Sequence, residues 1–455
     1  MKIFIFVILG VFFSTISNAQ WQDDVRLTFN PAQSTTDVKS VASEGSHIFT
    51  VWFDTRDGNV EVYYSHSSDY GETWGQNGRL TNNSSSSQSP MVLIANSEVF
   101  VFWYENEFNG QIKFSSSTDY GSTWSTAIGI SNKSVRPATI RIAASNDNLY
   151  VTYLASGNQS LYLLRSTDLG KTWGSEVILA PDTSDHSQLF DSYICAEESI
   201  VAVTWKQNQY LYMVKSSDYG QTWSSRLQLT TNDFGSQKPS LCLDGNNIYL
   251  VYIGVGNIKD TLYATFVESP DLGETWVNQK RLSVISRAST QPLFIERSDS
   301  GLHLAWTDES KIHYLKSNDF GANWSSEMIL SSNHNIGPSL SSNGKSLYLV
   351  WSDDRSGNSE VYFKKNPNAN EIVTSSVKLS EISSIVSIQP SPASDMLTIS
   401  IGDNHIHDVK IVDVNGRLVW SGNINGEAKI DIRSWASGVY IVQSDSKSEL
   451  FIKQK

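Results

Sequence analysis

An eight-residue motif that recurs at a period of about fifty residues constrains the fold of this chain more than any other feature. The motif Ser-x-Asp-x-Gly-x-Thr-Trp occurs five times, and a sixth copy has Asn323 in place of threonine. A fixed period of this length indicates one supersecondary unit per repeat, so the chain is predicted to be a repeat protein. The six copies lie at residues 67–74, 117–124, 166–173, 216–223, 269–276 and 317–324.

A second landmark follows the same period. An aromatic residue ends a strand-like run in seven places, and runs such as 99–103 and 347–351 are rich in β-branched and aromatic residues. Nowhere is there a sustained helical period. Four short strands per repeat of this length are typical of a β-propeller blade, so the fold is predicted to be all-β. The seven aromatic residues are Trp52, Trp103, Tyr153, Trp205, Tyr252, Trp306 and Trp351.

The number of blades follows from the strand that stands alone near the start of the chain. After Tyr362 the expected seventh motif is replaced by residues 364–368. Residues 26–28 (Arg-Leu-Thr) match the outermost strand at residues 79–81, but no blade precedes them. They are therefore predicted to complete the last blade, which removes the unpaired sheet edges. Seven blades result, with six as the alternative if the final unit is degenerate.

The aspartate of each motif is predicted to be structural. Aspartate accepts hydrogen bonds from turn amides, glycine supplies a positive φ, and tryptophan buries a large apolar surface. One carboxylate per motif cannot assemble the six to eight oxygens that calcium prefers, so no metal is predicted there. The aspartates are Asp69, Asp119, Asp168, Asp218, Asp271 and Asp319.

These motifs resemble the BNR or Asp-box repeats of sialidases and their non-catalytic relatives, over residues 21–370. The resemblance implies that the boxes lie on the face opposite the binding site. It also implies that a sialidase would use three arginines on the substrate carboxylate, a Tyr–Glu nucleophilic pair and an acid/base aspartate. The Arg-Ile-Pro string that announces the first arginine is absent, and the first inner strand, residues 37–41, has no arginine. No catalytic residue is therefore assigned; the remaining candidates, in no recognisable motif, are Arg136, Arg141, Arg287 and Arg297.

One constellation of charged residues recurs in the first and last blades. The pattern Asp-x-Arg-x-Gly-Asn-x-Glu occupies the hairpin between the second and third strands, on the rim where propellers usually bind ligands. Each arginine is close enough in sequence to pair with either acid of its own hairpin, which would only pin the turn. The alternative is a polar patch for a glycan or a protein loop. The candidates are Asp54, Arg56, Glu61, Asp353, Arg355 and Glu360.

Composition excludes some classes of function. The net charge is −13, with 47 acidic against 34 basic residues, which argues against binding to nucleic acid. No glycine-rich phosphate loop, nucleophile elbow or metal-binding histidine spacing appears, so no cofactor is predicted. Cys195 and Cys242 each lie ten residues before the aromatic residue of their repeat. They are expected to be small buried side chains, with an inter-blade disulfide as the alternative. The equivalent positions hold Ala42, Leu93, Ala143 and Ser341.

Residues 1–19 are predicted to be a signal peptide. Lys2 provides the positive charge, residues 3–13 are apolar, and Ser17-Asn18-Ala19 fits cleavage before Gln20. No later stretch reaches the roughly 18 apolar residues of a spanning helix, so the mature chain is predicted to lack a transmembrane segment. The propeller is assigned to residues 20–370.

A second domain with different strand patterning follows a serine-rich linker at residues 371–387. Five alternating strands within residues 388–455 predict a small β-sandwich. This domain resembles the C-terminal sorting domain of the type IX secretion system of Bacteroidota. The resemblance implies passage through the periplasm, contact with that secretion machinery, and an extracellular or outer-surface location. It depends on residues 389–395, 413–417, 438–440 and the basic end 453–455.

The sequence thus favours an exported propeller that binds a glycan or a surface protein without catalysis. A diverged exo-sialidase-type glycoside hydrolase is the alternative, because fold alone does not specify chemistry. A scaffold within a larger surface complex is the third hypothesis.

Overall fold

The structure is a computed structural model in which the chain divides into two compact units, Met1–Ile372 and Val373–Lys455. All the assigned elements are strands. The residues described are 21–107, 110–156, 160–181, 189–230, 236–255, 261–286, 292–331, 336–369, 386–389, 394–401, 407–413, 417–424, 427–444 and 447–453.

The described residues of the first unit form seven antiparallel sheets, one for each aromatic landmark. The strand that carries the aromatic landmark lies in the middle of each sheet and is covered on both faces. This is why these strands are almost continuously apolar. The strands are, after β1 (Val25–Arg26), in sheet 1 β2 (Ser34–Thr35), β3 (Val41–Glu44), β4 (His47–Asp54), β5 (Glu61–Ser67) and β6 (Gly78–Arg79); in sheet 2 β7 (Ser87–Ala95), β8 (Glu98–Glu105), β9 (Gln111–Ser117) and β10 (Ile128–Gly129); in sheet 3 β11 (Pro137–Ser145), β12 (Asn148–Ala155), β13 (Leu161–Ser166) and β14 (Val177–Ala180); in sheet 4 β15 (Leu189–Glu197), β16 (Ile200–Gln207), β17 (Tyr210–Ser216) and β18 (Leu227–Gln228); in sheet 5 β19 (Gln237–Asp244), β20 (Asn247–Val255), β21 (Leu262–Ser269) and β22 (Val277–Ile285); in sheet 6 β23 (Phe294–Ser298), β24 (Gly301–Asp308), β25 (Lys311–Ser317) and β26 (Met328–Ser331); and in sheet 7 β27 (Ile336–Ser342), β28 (Leu347–Asp353) and β29 (Glu360–Asn366).

The sheets close into a ring through their innermost strands. In cyclic order β3, β7, β11, β15, β19, β23 and β27 each contact the next, and β27 contacts β3. The strand β1 pairs with β29, with Val25 opposite Phe363, and therefore supplies the fourth strand of sheet 7. This pairing is the closure that the sequence predicts.

Neighbouring sheets are held together by apolar side chains from both. Trp205 of sheet 4 lies in one buried cluster with Tyr150 of sheet 3, and Val92 of sheet 2 shares another cluster with Val62 of sheet 1. The box tryptophans extend this packing to the sheet before them: the ring of Trp74 lies 4.9 Å from that of Phe363 in sheet 7.

The Asp box is a closed set of local hydrogen bonds. Asp69 Oδ1 accepts from the Thr73 amide at 2.9 Å and from the Ser67 hydroxyl at 2.8 Å, while Oδ2 accepts from the Thr73 hydroxyl at 2.6 Å. Gly71 donates its amide to the Ser67 hydroxyl at 2.8 Å. Its φ is +80°, and a Cβ would lie 2.6 Å from the Phe363 ring, so only glycine fits. The same Asp and Ser contacts occur at Asp119, Asp168, Asp218, Asp271 and Asp319.

The sixth box shows how its departure from the motif is tolerated. Asn323 donates its side-chain amide to Asp319 Oδ2 at 2.7 Å, in the position of the threonine hydroxyl. Because an amide N–H replaces an O–H as donor, the carboxylate keeps both of its partners.

The second unit contains two sheets around one apolar core that includes Leu397, Ile411 and Tyr440. Seven strands are present where the sequence predicted five, because strands near both ends of the unit pair with the sheets. The strands are β30 (Val386–Gln389), β31 (Met396–Ile401), β32 (His407–Asp413), β33 (Leu418–Ile424), β34 (Glu427–Asp431), β35 (Gly438–Ser444) and β36 (Lys447–Lys453).

Several sequence predictions fall outside the described residues. They are the signal peptide at residues 1–19, the candidate Arg287, the larger part of the linker at residues 371–385, and parts of the sorting-domain motifs at residues 390–393, 414–416 and 454–455. The last residues of the linker begin β30. In the portion of the chain that is described, no helix is long and apolar enough to cross a membrane.

The Asp box generates a prediction about acid stability. Hydrogen bonds from the Thr73 hydroxyl and amide lower the pKa of Asp69 to about 2, against about 3.9 in an unfolded chain. A lowered folded pKa contributes stability that is present above about pH 4 and is lost as the pH falls toward 2. Asp69→Asn is therefore expected to lower stability at neutral pH and to flatten the loss between pH 4 and pH 2, measured by urea unfolding.

The matched control is Asp23→Asn, which changes an exposed aspartate outside the boxes. This variant should keep the pH profile of the wild type. An Asp69→Asn chain with the wild-type slope between pH 4 and pH 2 would contradict the assignment.

Candidate functional site

The first recurring hairpin lies at the end of sheet 1 opposite the Asp box, and its aspartate is the centre of a buried hydrogen-bond set. Asp54 accepts from the Trp52 indole N–H at 3.1 Å, the Ser34 hydroxyl at 2.7 Å and the Arg56 amide at 2.9 Å. The Arg56 guanidinium forms an ion pair with Asp54 at 2.6 Å and lies over the Tyr63 ring, 4.3 Å from its centroid. The hairpin thus satisfies its own charges.

The second hairpin, in sheet 7, repeats this arrangement. Asp353 accepts from the Trp351 indole at 3.3 Å and from the Arg355 amide at 2.8 Å. Arg355 also forms ion pairs with Asp353 and with Asp24, the latter at 2.6 Å, and lies 4.4 Å from the centroid of the Tyr362 ring. Arg355 therefore has one more charged partner than Arg56.

The two glutamates are paired with arginines of the outermost strand, not with the arginines of the hairpins. Arg79 lies 3.0 Å from Glu61, and Arg26 lies 2.8 Å from Glu360. The hydroxyls of Thr81 and Thr28 donate to the same two glutamates. The sequence left open which acid each hairpin arginine meets, and the structure assigns the arginines to Asp54 and Asp353.

The asparagine of each hairpin connects one sheet to the next. Asn59 donates to the carbonyls of Asn83 at 2.8 Å and Ser85 at 2.9 Å, in the loop from sheet 1 to sheet 2. Asn358 donates to the carbonyls of Asn30 and Ala32 in the loop from sheet 7 to sheet 1. The recurrence of the motif is thus explained by two identical junctions, each preceded by an Arg-Leu-Thr strand.

Burial decides which of these six residues have surface to offer a ligand. The side chains of Asp54, Glu61, Asp353 and Glu360 are 0% exposed, whereas Arg56 and Arg355 keep 24% and 28%. Although burial opposes the charged form of Asp54, hydrogen bonds from Arg56 and Ser34 lower its pKa, so the ion pair stays charged. The predicted patch consists in practice of two guanidinium groups, and its binding role stays a prediction.

The second candidate, the channel inside the ring, did not emerge from the motif analysis. A cavity of about 290 Å³ lies along the inner strands of sheets 1 to 6. Its polar lining consists of Lys39, Tyr193, Cys195, Cys242, Glu197, Glu296 and Arg297. A smaller cavity toward the hairpin end shares Lys39 and Tyr193 and adds Arg141 and Phe294.

One signal in the sequence could have located this cavity. Glu296 lies ten residues before Trp306, in the position that holds alanine, leucine, serine or cysteine in the other repeats. A carboxylate among small and apolar residues on the inner strands marks a polar site, because an unpaired buried charge is costly. Glu296 was missed because the motifs consist of residues that the repeats share, and Glu296 occurs in one repeat.

Electrostatics in the channel depend on burial. Burial raises the pKa of Glu296 above its usual range, although Lys39 acts in the opposite direction. For Lys39, burial opposes the charge, but Glu296, Tyr193 and Cys195 outweigh it and raise the pKa, so Lys39 stays an ammonium at neutral pH. Burial also raises the pKa of both cysteines, which are free thiols in the structure. The disulfide of the sequence analysis is not formed here.

Metal binding has no geometric support in the described part of the chain. No three histidine, cysteine, aspartate or glutamate side chains lie close enough together there to hold an ion.

The second unit matches a known family. Residues 387–455 match the secretion system C-terminal sorting domain, which confirms the resemblance to type IX sorting domains. The match indicates export to the cell surface or secretion. No curated protein matches the chain.

The solved structures to which this chain is similar include polysaccharide lyases and a sialidase. An ulvan lyase of family PL25 bound to -[GlcA(1-4)Rha3S]- is 10% identical, with 75% of this chain and 95% of that chain covered and a TM-score of 0.54. The polysaccharide lyase Uly1 is 7% identical over 76% and 99% of the two chains, with a TM-score of 0.55. The Trypanosoma rangeli sialidase is 10% identical over 92% and 84%, with a TM-score of 0.44.

The hairpins generate a stability prediction. Arg355→Ala is expected to lower the free energy of unfolding by about 2–4 kcal/mol, because Asp353 would remain buried without its counter-ion. Arg56→Ala should cost less, since Arg56 has fewer charged partners. Urea unfolding monitored on the first unit measures both.

The second unit offers a control with the same Asp-x-Arg spacing. Arg433 pairs with Asp431 in the same local geometry, but both side chains are at least half exposed. Arg433→Ala should change the stability of its unit less than either of the other two variants changes the stability of the first unit. Equal losses for all three arginines would contradict the importance of burial.

Proposed function

We propose that this chain is an exported β-propeller that binds a glycan and does not cleave it. The sorting domain supports the first part of the proposal, since it indicates transfer to the cell surface or the medium. The propeller is then the part of the chain that meets the ligand outside the cell.

A carbohydrate ligand is supported by the propellers of similar fold. Two polysaccharide lyases share this fold over nearly their whole length, and one was solved with a uronate-containing saccharide. Fold alone does not transfer an activity. The saccharide bound to one of these lyases nevertheless supports a carbohydrate as the ligand of a propeller with this fold.

Binding without cleavage is supported by the arrangement of the charged rim residues. The acids that sequence analysis singled out are fully buried and hold Trp, Ser, Thr and Arg side chains of the protein itself. A general acid or nucleophile must reach the substrate. These four carboxylates serve the blades and are not available for such a step.

The rim arginines remain the first proposed contact on the outer surface. Arg56 and Arg355 are stacked on tyrosine rings and keep about a quarter of their surface exposed. A guanidinium held in this way can donate to sugar hydroxyls or to a carboxylate.

The proposal is tested on a glycan array with the full exported chain, scored both for retained protein and for loss of terminal sugars. Specific retention without sugar loss is expected. Loss of terminal sugars would replace binding by hydrolysis of the sialidase type. An array that retains nothing would overturn the glycan proposal and leave a protein ligand at the cell surface.

The double variant Arg56→Ala/Arg355→Ala locates the contact on the outer surface. Provided that it keeps its folded circular dichroism spectrum, the loss of retained glycan supports the rim patch. Retention equal to wild type removes the patch from the binding surface.

A further inference from the structure

We propose that the channel of the ring is a carbohydrate subsite, in which one neutral sugar residue lies between Lys39 of sheet 1 and Glu296 of sheet 6. The inference rests on the proposed glycan-binding function and names the place and the chemical class of the bound unit. The evidence for this subsite comes from the residues that line the channel and does not depend on the rim arginines.

The first observation is the size and the lining of the cavity. A volume of about 290 Å³ is near the lower limit of about 300 Å³ for ligand pockets, which suits a single sugar ring. The walls alternate between polar groups and apolar side chains such as Leu93, Ile142 and Leu241. Apolar walls of this kind can pack on the C–H faces of a sugar while the polar groups meet its hydroxyls.

The second observation is that the two charged groups lack adequate partners. Within the described residues, the Lys39 side chain makes no hydrogen bond and no ion pair, although its ammonium carries three donors. Glu296 accepts one long hydrogen bond, from the Ser342 amide at 3.3 Å. The two groups influence each other electrostatically but form no ion pair.

Other half-buried cations of the first unit, one of them in the lining of the same cavity, have acidic partners. Arg297, next to Glu296 in sequence, is paired with Asp244 and lies 3.5 Å from Glu197. Lys365 on sheet 7 is paired with Glu72 at 2.6 Å. Lys39, like Arg141 nearby, has no acidic partner within ion-pair distance among the described residues, and it faces the cavity.

The chemistry of the gap selects a neutral hydroxyl-rich group. The Lys39 ammonium only donates hydrogen bonds, whereas the Glu296 carboxyl oxygens accept them, so a group that fills the space between them must do both. Sugar hydroxyls have this property. A purely anionic group offers no donor to the Glu296 oxygens, and a purely cationic group would be repelled by Lys39 and by Arg141 at the hairpin end.

Two further groups fit the same ligand. Tyr193 forms a hydrogen bond with Ser240 and faces both cavities, which leaves its hydroxyl able to meet a sugar oxygen. Arg141 donates to its neighbouring carbonyl at Ile140, 2.7 Å away, and makes no ion pair among the described side chains. Both lie nearer the hairpin end than Glu296, so they would contact the part of the sugar on that side.

The experiment uses the full exported chain and the neutral oligosaccharides of the array as probes, one by one, in calorimetric titrations. Lys39→Met and Glu296→Gln are each expected to raise the Kd of a retained neutral oligosaccharide at least tenfold. Lys39 has a φ of +57°, and methionine is no more strained there than lysine, so the backbone should be preserved. The control is Lys215→Met, whose lysine pairs with Glu274 outside the channel and should change the Kd less than twofold.

A measurement on the unaltered chain covers the case in which a variant fails to fold. Cys195 and Cys242 line the same cavity, so a bound oligosaccharide should slow their modification by methyl methanethiosulfonate at least tenfold. Equal modification rates with and without a bound oligosaccharide would overturn the proposal, as would folded channel variants with wild-type Kd.

The two proposals fail in different ways. An array that retains no glycan defeats glycan binding as a whole. Retained glycan with unchanged affinity in the channel variants defeats only the channel subsite, and indicates that water fills the space between Lys39 and Glu296.

Discussion

A ring of sheets is stable only if its first and last members are joined, and here that junction depends on a strand of two residues. β1 pairs with β29. Arg26 of β1 and Thr28, two residues later, both donate hydrogen bonds to Glu360, which is completely buried. Lys365 of β29 reaches across to Glu72 in the box of sheet 1. The chain itself passes from β1 in sheet 7 to β2 in sheet 1, so the pairing of β1 with β29 inside sheet 7 is the seam that closes the ring without a covalent link.

A similar set of hydrogen bonds to a buried glutamate lies at the next junction along the chain. Glu61 with Arg79 and Thr81 repeats at the junction of sheets 1 and 2 what Glu360 does at the closure. Buried carboxylates of this kind are costly unless every oxygen has a donor, and here each is met by arginine, threonine and asparagine. The acids that look most like functional residues are therefore occupied, and the channel remains as the polar site with unmet hydrogen-bonding capacity.

Much of this architecture could be predicted from the sequence, because the repeats carry it. The period gave the sheets, the aromatic residues marked the central strands, and the lone Arg-Leu-Thr string near the start indicated closure. The partners of Glu61 and Glu360 could not be predicted, since they depend on strand pairing between residues 18 to 334 positions apart. β36 was missed because its charged residues, Lys447, Glu449 and Lys453, surround a short apolar run.

The channel illustrates a different limit of sequence reasoning. Lys39 and Glu296 are far apart in the chain and belong to no shared motif, so only the ring places them on one cavity. Repeats reveal what the blades have in common, namely their fold, whereas a binding site is made by the residues in which the blades differ. This is why the sequence repeats revealed the Asp boxes, whereas Glu296 was overlooked.

The buried Glu360, with its arginine and threonine donors, closes the ring, and urea unfolding of the Glu360→Gln variant measures how much stability this contact contributes. Glutamine fills the same space but leaves Arg26 without its counter-ion. We expect a loss of at least about 2 kcal/mol in the free energy of unfolding of the first unit. A stability within about 0.5 kcal/mol of the wild type, the range of ordinary surface substitutions, would contradict it.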